Sequence, residues 1–471
     1  MDVFAQHRTH QRAVSLAIGQ LACLGPHTIT GLLSAAGRLS SDWSADYRFF
    51  SQDRWQADRL FDSVLTGVLG FLDEKAPLVA PMDDTLLRKT GRKIPGAAYR
   101  RDPLSPAFHT NFVWAQRYLQ MSAMLPADSA CGPARAIPLR FDPAPSVPRP
   151  PRKAGPEEQQ AYRRRCREQN LSTFGVAAIA QTRRKLDQQP GGTQRRLIVP
   201  VDGSYTNRTV LRGLAERTTL IGRIRKDAEL FYPPLSQEQP DRGRKRQYGR
   251  SAPTPDALRQ EESVPWQEVP AHAGGKTHTF RVKTLCPVLW PKAGADMPLR
   301  LVVIAPVSYR LRKGSKLLYR QPAYLICTDP DLPLEQGVQD FLWRWDIEVN
   351  HRQEKQLIGV GRARVRSPLS ARREPTFAVA CYAKLLLAGA RTYGPDATQA
   401  NLPLPKWRRN RPANRLTSGD LIRQLRQDLW GDAVRRAQSD SGHFASEPPS
   451  NTKCLKFEPS LAGALEHTAT G

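Results

Sequence analysis

Two short apolar runs, Leu78–Met82 and Leu197–Val201, stop directly on carboxylates: Asp83 and Asp84 after the first, Asp202 after the second. Runs of this length, bounded by turn residues, read as buried strands. An acid at the end of such a strand sits on rigid backbone, at the edge where open α/β sheets place their sites. One acid there is commonly just the start of a loop, and two separated cases weaken that reading. HTNFVWAQRYLQMSAML, ARAIPLRF and TTLIGRIRKD supply further strands. Helices are expected over Glu157–Leu186 and around Thr206–Leu214. This alternation predicts an α/β domain with a mixed sheet flanked by helices.

The rest of the chain divides around that core. Residues 1–75 read as helices, HRTHQRAVSLAIGQLACLG closing on Gly25-Pro26 and a second spanning Asp53–Leu72. A DNA-binding module and a helical cap both fit this basic leader. The first part of the α/β domain is expected over 76–228. A β-rich insertion follows over 229–330, opening with the Pro-, Gly- and Arg-rich loop YPPLSQEQPDRGRKRQYGRSAPTPDALRQ. The domain is completed over 331–395. Residues 396–471 carry the proline-rich PLPKWRRNRPANR and a last helix, with Thr417 and Asp420 at capping-box spacing and Gly431 as its end. An aperiodic tail, expected to be disordered, follows.

Charge narrows the partner. Lys plus Arg number 71 against 44 Asp plus Glu, a net +27, which points to a polyanion. The longest apolar run, Phe377–Ala390, is too short to span a bilayer and contains Lys384, so it reads as a buried helix and no membrane role is expected. The N-terminus has no signal-peptide pattern. The 7 cysteines (Cys23, Cys131, Cys166, Cys286, Cys327, Cys381, Cys454) are scattered without a CxxC pair, as expected of reduced thiols in a cytoplasm. Nucleic acid is the preferred partner, and nucleoid association follows from it.

The segment FLWRWDIEVNHRQEK is the most informative. At 100° per residue a single helix would place Phe341, Arg344, Glu348 and Lys355 on one face, with Trp345 and Arg352 beside them. A salt-bridged solvent face explains Glu348 between Arg344 and Arg352, but not the aromatics. Phosphodiester chemistry explains both: a carboxylate for a divalent ion, cations for phosphates, a ring for a base. Three carboxylates from two strands and a helix suit two Mg²⁺ ions about 3.5–4 Å apart, with Mn²⁺ as a substitute. No phosphate-cradling GxxxxGK[ST] and no GxSxG elbow is present.

APMDDTLLRKTG, LIVPVDGSYTNRTVL and DFLWRWDIEVNHRQEKQLIGVG together resemble the DDE transposases of bacterial insertion sequences, in the group whose RNase H-like core is interrupted by a β-rich insertion. The third block matches that group's spacing at Arg344, Glu348 and Lys355 and departs from it where Phe341 replaces a tyrosine. The resemblance implies Asp84, Asp202 and Glu348 as a metal-binding triad. Asp84 is preferred to Asp83 because it directly precedes Thr85. It also implies that Phe341, Arg344, Arg352 and Lys355 contact DNA, and that a homodimer nicks the inverted-repeat ends of its element before joining each 3′-OH to target double-stranded DNA. Trp290, in the insertion, is weighed as a base-stacking residue against a core role. An RNase H-like nuclease without joining activity and a non-catalytic DNA-binding regulator are the alternatives.

Overall fold

The computed structural model describes residues 3–440 except 41, 107, 128–130, 236–242, 295, 313 and 403–414, with side chains to residue 431. Four helices open the chain: α1 (His7–Ala22), α2 (Ile29–Ala35), α3 (Ser44–Ser51) and α4 (Asp62–Leu69). Gly19 lets α1 cross α2 closely, since a Cβ there would lie 2.4 Å from the Leu32 carbonyl oxygen. The expected helix over Asp53–Leu72 is shorter, a 3-10 turn at Ala57–Phe61 leading into α4.

The strands follow: β1 (Leu78–Val79), β2 (Met82–Arg88), β3 (Ala98–Arg101), β4 (Phe112–Pro126) and β5 (Ala134–Pro143). After them come helices α5 (Pro156–Glu168) and α6 (Leu171–Asp187), strand β6 (Leu197–Val201), helix α7 (Arg208–Arg212) and strand β7 (Thr218–Arg223). The single helix expected over Glu157–Leu186 is thus two. Asn170 breaks it because its side chain accepts from the Thr173 N–H at 3.1 Å and caps a new helix.

Strands β2, β4 and β5 form an antiparallel meander, while β1, β6 and β7 are parallel neighbours. β1 and β2 are one chain segment bent at Ala80-Pro81, so the two sheets curl into each other. This is an RNase H-like mixed sheet.

The insertion adds β8 (Leu230–Phe231), β9 (Ser251–Ala252), α8 (Pro255–Gln260), β10 (Gln267–Ala273), β11 (Lys276–Val288), β12 (Leu299–Ile304), β13 (Ser308–Tyr309), β14 (Leu318–Tyr319) and β15 (Ala323–Cys327). Its main strands extend the same sheet in the order β1-β6-β7-β15-β12-β11-β10, with β15 antiparallel to β7. Of the expected basic loop, residues 236–242 lie outside the described residues, and its end forms β9 and α8.

Helices α9 (Leu334–Trp343), α10 (Trp345–Gln356), α11 (Pro368–Tyr393) and α12 (Ser418–Asp440) complete the chain. The run Phe377–Ala390 is the centre of α11, buried where Phe377 meets Phe49 and Phe50 of α3, with ring centroids 5.5 Å apart in each case. The N-terminal helices therefore share one core with the meander and α11. Each fully buried Leu or Phe contributes about 1.5–3 kcal/mol there.

Thr417 and Asp420 form the expected reciprocal cap of α12, Thr417 Oγ1 donating to Asp420 at 2.8 Å. The helix runs through Gly431 without ending. Most of PLPKWRRNRPANR and all of residues 441–471, Cys454 included, lie outside the described residues. The six described cysteines are free thiols. No helix among the described residues is long and apolar enough to cross a membrane.

Candidate active site

Neighbouring residues of a strand point to opposite sides, and β2 uses this to separate its two acids. Asp83 Oδ2 lies 3.4 Å from Arg344 Nη1. Asp84 turns the other way: its Oδ1 accepts from the Tyr205 hydroxyl at 3.1 Å, and its Oδ2 lies 3.2 Å from Arg117 Nε on β4. Both carboxyls titrate above the usual carboxylate range because they are buried. Asp83 is pushed up to about 7, with the Asp202 charge as the next cause, against the pull of Arg344. For Asp84, burial is opposed by Arg117 and the Tyr205 hydrogen bond, and Asp202 adds to the rise. β1 and β6 pair in parallel, which carries the two chain segments in the same direction and brings Asp202 within electrostatic reach of both acids.

Asp202 is held by its own turn. Its carboxylate accepts from the Ser204 N–H at 2.9 Å and from the Ser204 hydroxyl at 3.1 Å, and its carbonyl accepts from Thr206 Oγ1 at 3.0 Å. Gly222 on β7 makes room for that threonine, since a Cβ there would meet Thr206 Oγ1 at 2.1 Å. The turn also aims Tyr205, whose side chain is fully buried, at Asp84.

The helical block differs from the uniform helix expected. It breaks at Arg344, between α9 and α10, so the 100° rule does not carry from Phe341 to Glu348. Phe341 is buried in the core beside Val338 and Trp343, whereas Trp345 is 62% exposed. Arg344 Nη2 reaches Glu348 Oε1 at 3.1 Å, so one guanidinium spans Asp83 and Glu348. Lys355 Nζ donates to Thr85 Oγ1 at 2.6 Å, and burial lowers its pKa. Arg344 and Lys355 thereby fasten α10 across β2 at two points. Arg352 is exposed. Beneath, Gln120 donates to Glu354 at 2.9 Å and Asn350 to the Ala136 carbonyl at 3.1 Å, both buried. Burial pushes the Glu354 carboxyl up to about 8.

Asp83, Asp84 and Asp202 thus share one electrostatic neighbourhood, and Glu348 joins it through Arg344. Among the described residues, no three Asp, Glu, His or Cys side chains are close enough to hold a metal ion as they stand. The donor set is all carboxylate oxygen, which suits a hard divalent cation, and beside burial the Asp202 charge adds to the rise of both Asp83 and Asp84. Tyr205 and Arg117 were not read from the sequence. The one local signal was an aromatic three residues after Asp202. Trp290 is partly buried and packs against the core.

A family model described as DDE superfamily endonuclease matches residues 1–290. The match contains Asp83, Asp84 and Asp202 and ends before Glu348. Comparison with the curated proteins finds no match.

Proposed function

The chain belongs to the DDE superfamily endonucleases, and on that premise we propose that it is a transposase, cutting the inverted-repeat ends of its own element and joining them to target double-stranded DNA. The family is one of nucleases acting on DNA, and its members generally use divalent metal ions.

In this reading Asp84, Asp202 and Glu348 would hold two Mg²⁺ ions, or Mn²⁺, once Glu348, which Arg344 bridges to Asp83 on the other side of β2, turns towards Asp84. Bound there, the ions would activate the attacking oxygen and stabilise the leaving one. The assignment of Asp84 over its neighbour rests on charge. Tyr205 and Arg117 favour its ionised form, whereas Asp83, paired with Arg344 and pushed up to about 7, positions that arginine. Asp202 is preset by its turn. Arg344 swings from the acids to a DNA phosphate when DNA enters. Lys355 fixes the height of α10 on β2, and Arg352 faces the DNA backbone. Buried Phe341 supports the helix break from below and does not stack on a base. The protein acts as a homodimer that pairs two ends.

The observation that carries this proposal is the Tyr205 hydroxyl, in the turn that follows Asp202, donating to Asp84 Oδ1 at 3.1 Å, which ties two acid-bearing segments remote along the chain at the junction of the two curled sheets. Strand transfer with pre-cut ends of the DNA flanking the coding sequence tests it. Joined products are expected with Mg²⁺. Cleavage of intact DNA without joining of pre-cut ends would instead identify a nuclease.

A further inference from the structure

The β3–β4 hairpin projects past the end of β2 and presents a group of apolar side chains that the site does not use. Phe108 is 93% exposed, Leu104 83%, Phe112 65% and Tyr99 59%. The projection is built, not loose. Arg92 stacks over the rings of Tyr99 and Trp114, at 5.2 and 5.6 Å from their centroids, and also donates to the Tyr99 hydroxyl. The two rings meet edge-on at 5.2 Å. Asp102 ties the turn, accepting from the Leu104 N–H at 3.1 Å and from Arg88 at 2.8 Å.

Between Arg88 and Phe112 the sequence carries Arg88, Lys89, Arg92, Lys93, Arg100 and Arg101 against a single acid, Asp102. That acid is engaged by the turn and Arg88, while Arg92, Lys93 and Arg101 are exposed. Exposed rings and aliphatic tips among cations match a phosphate backbone with a base step beside it. A second copy of this chain, itself at +27, would meet like charge.

We infer that this hairpin is a duplex-DNA contact, in which Arg92, Lys93 and Arg101 hold backbone phosphates and Phe108 with Leu104 wedges into a base step. The inference rests on the DNA-acting reading above. β4 links it to the acids: Arg117, which touches Asp84, lies five residues along the strand from Phe112. The hairpin therefore sets where the duplex bends relative to the scissile bond.

Full-length protein is titrated with duplex DNA from the flanks of the coding sequence at several salt concentrations. Each lost phosphate contact lowers the slope of log affinity against log salt by about 0.9. R92A/K93A/R101A should therefore lower it by about 2–3. Should that variant fail to fold, R101A alone should lower the slope by about one. In the same duplex carrying 2-aminopurine, wild-type protein should raise emission at one step, and L104S/F108S should abolish the rise while keeping the slope. The readout is binding, so it does not depend on cleavage. A wild-type slope in the cation variants, or a loss of self-association with the slope unchanged, would overturn the inference.

Discussion

The Tyr205 hydroxyl donates to Asp84 Oδ1 at 3.1 Å, tying the turn that follows Asp202 to the strand acid of another chain segment. With Arg117 it opposes the burial that raises the Asp84 carboxyl. Tyr205→Phe should let that carboxyl rise further, so a smaller fraction is ionised at a given pH. The acid limb of the pH–rate profile for DNA cleavage should move up by about one unit, with kcat falling on the order of tenfold and KM for DNA unchanged. Losing the hydroxyl should also cost about 1 kcal/mol of stability. An unmoved limb would remove Tyr205 from the site and leave it a core residue.

The Asp202 turn depends on space at Gly222, where a Cβ would meet Thr206 Oγ1 at 2.1 Å. Gly222→Ala should displace Thr206 from the Asp202 carbonyl, costing about 1–3 kcal/mol in thermal unfolding and most of the cleavage rate. G222A/T206A, which removes the oxygen that the new Cβ would meet and gives up only its hydrogen bond to the Asp202 carbonyl, should recover part of both. No recovery would mean that the damage lies elsewhere on β7.

Arg344 bridges Asp83 and Glu348. Arg344→Ala should weaken DNA binding and reduce its salt slope by about one phosphate's worth. An unchanged slope would confine Arg344 to the protein's own acids.

Glu354 is buried, and its carboxyl is pushed up to about 8. Because the folded value exceeds the unfolded one, the native state holds a proton that the unfolded chain has lost. Stability is therefore full below the unfolded pKa near 4.5 and falls as pH rises through about 8. Glu354→Gln mimics the protonated form and keeps an acceptor for Gln120. Its melting temperature should match wild type below about pH 4 and exceed it above about pH 9. Parallel curves for the two proteins would show Glu354 to be ionised in the fold.

Much of this arrangement was legible in the residues. The run ending on Asp202 is strand β6, buried at every residue as a sheet covered on both faces requires, whereas the run before Asp83-Asp84 bends at Ala80-Pro81 between β1 and β2, so both acids lie within β2 and not at a strand's end. The break at Arg344 was not legible, since no glycine or proline marks it. It follows from tertiary demand, with Phe341 and Trp343 buried on one side and Arg344 drawn to Asp83 on the other. Joining of the insertion strands to β7 was equally hidden, because local pattern does not encode which distant strand becomes a neighbour. The same holds for Tyr205 and Arg117. Their importance lies in contacts to Asp84 from other chain segments.

The most direct test is Mg²⁺-dependent cleavage of plasmid DNA carrying the coding sequence and its flanks, by wild-type protein and by Asp202→Asn and Asp84→Asn, with DNA affinity measured in parallel. Wild type is expected to cleave, and each variant to lose on the order of 10³-fold or more in rate while binding as tightly, since a ligand for the ion is gone and no repulsion is added. Cleavage by either variant at the wild-type rate would contradict the site.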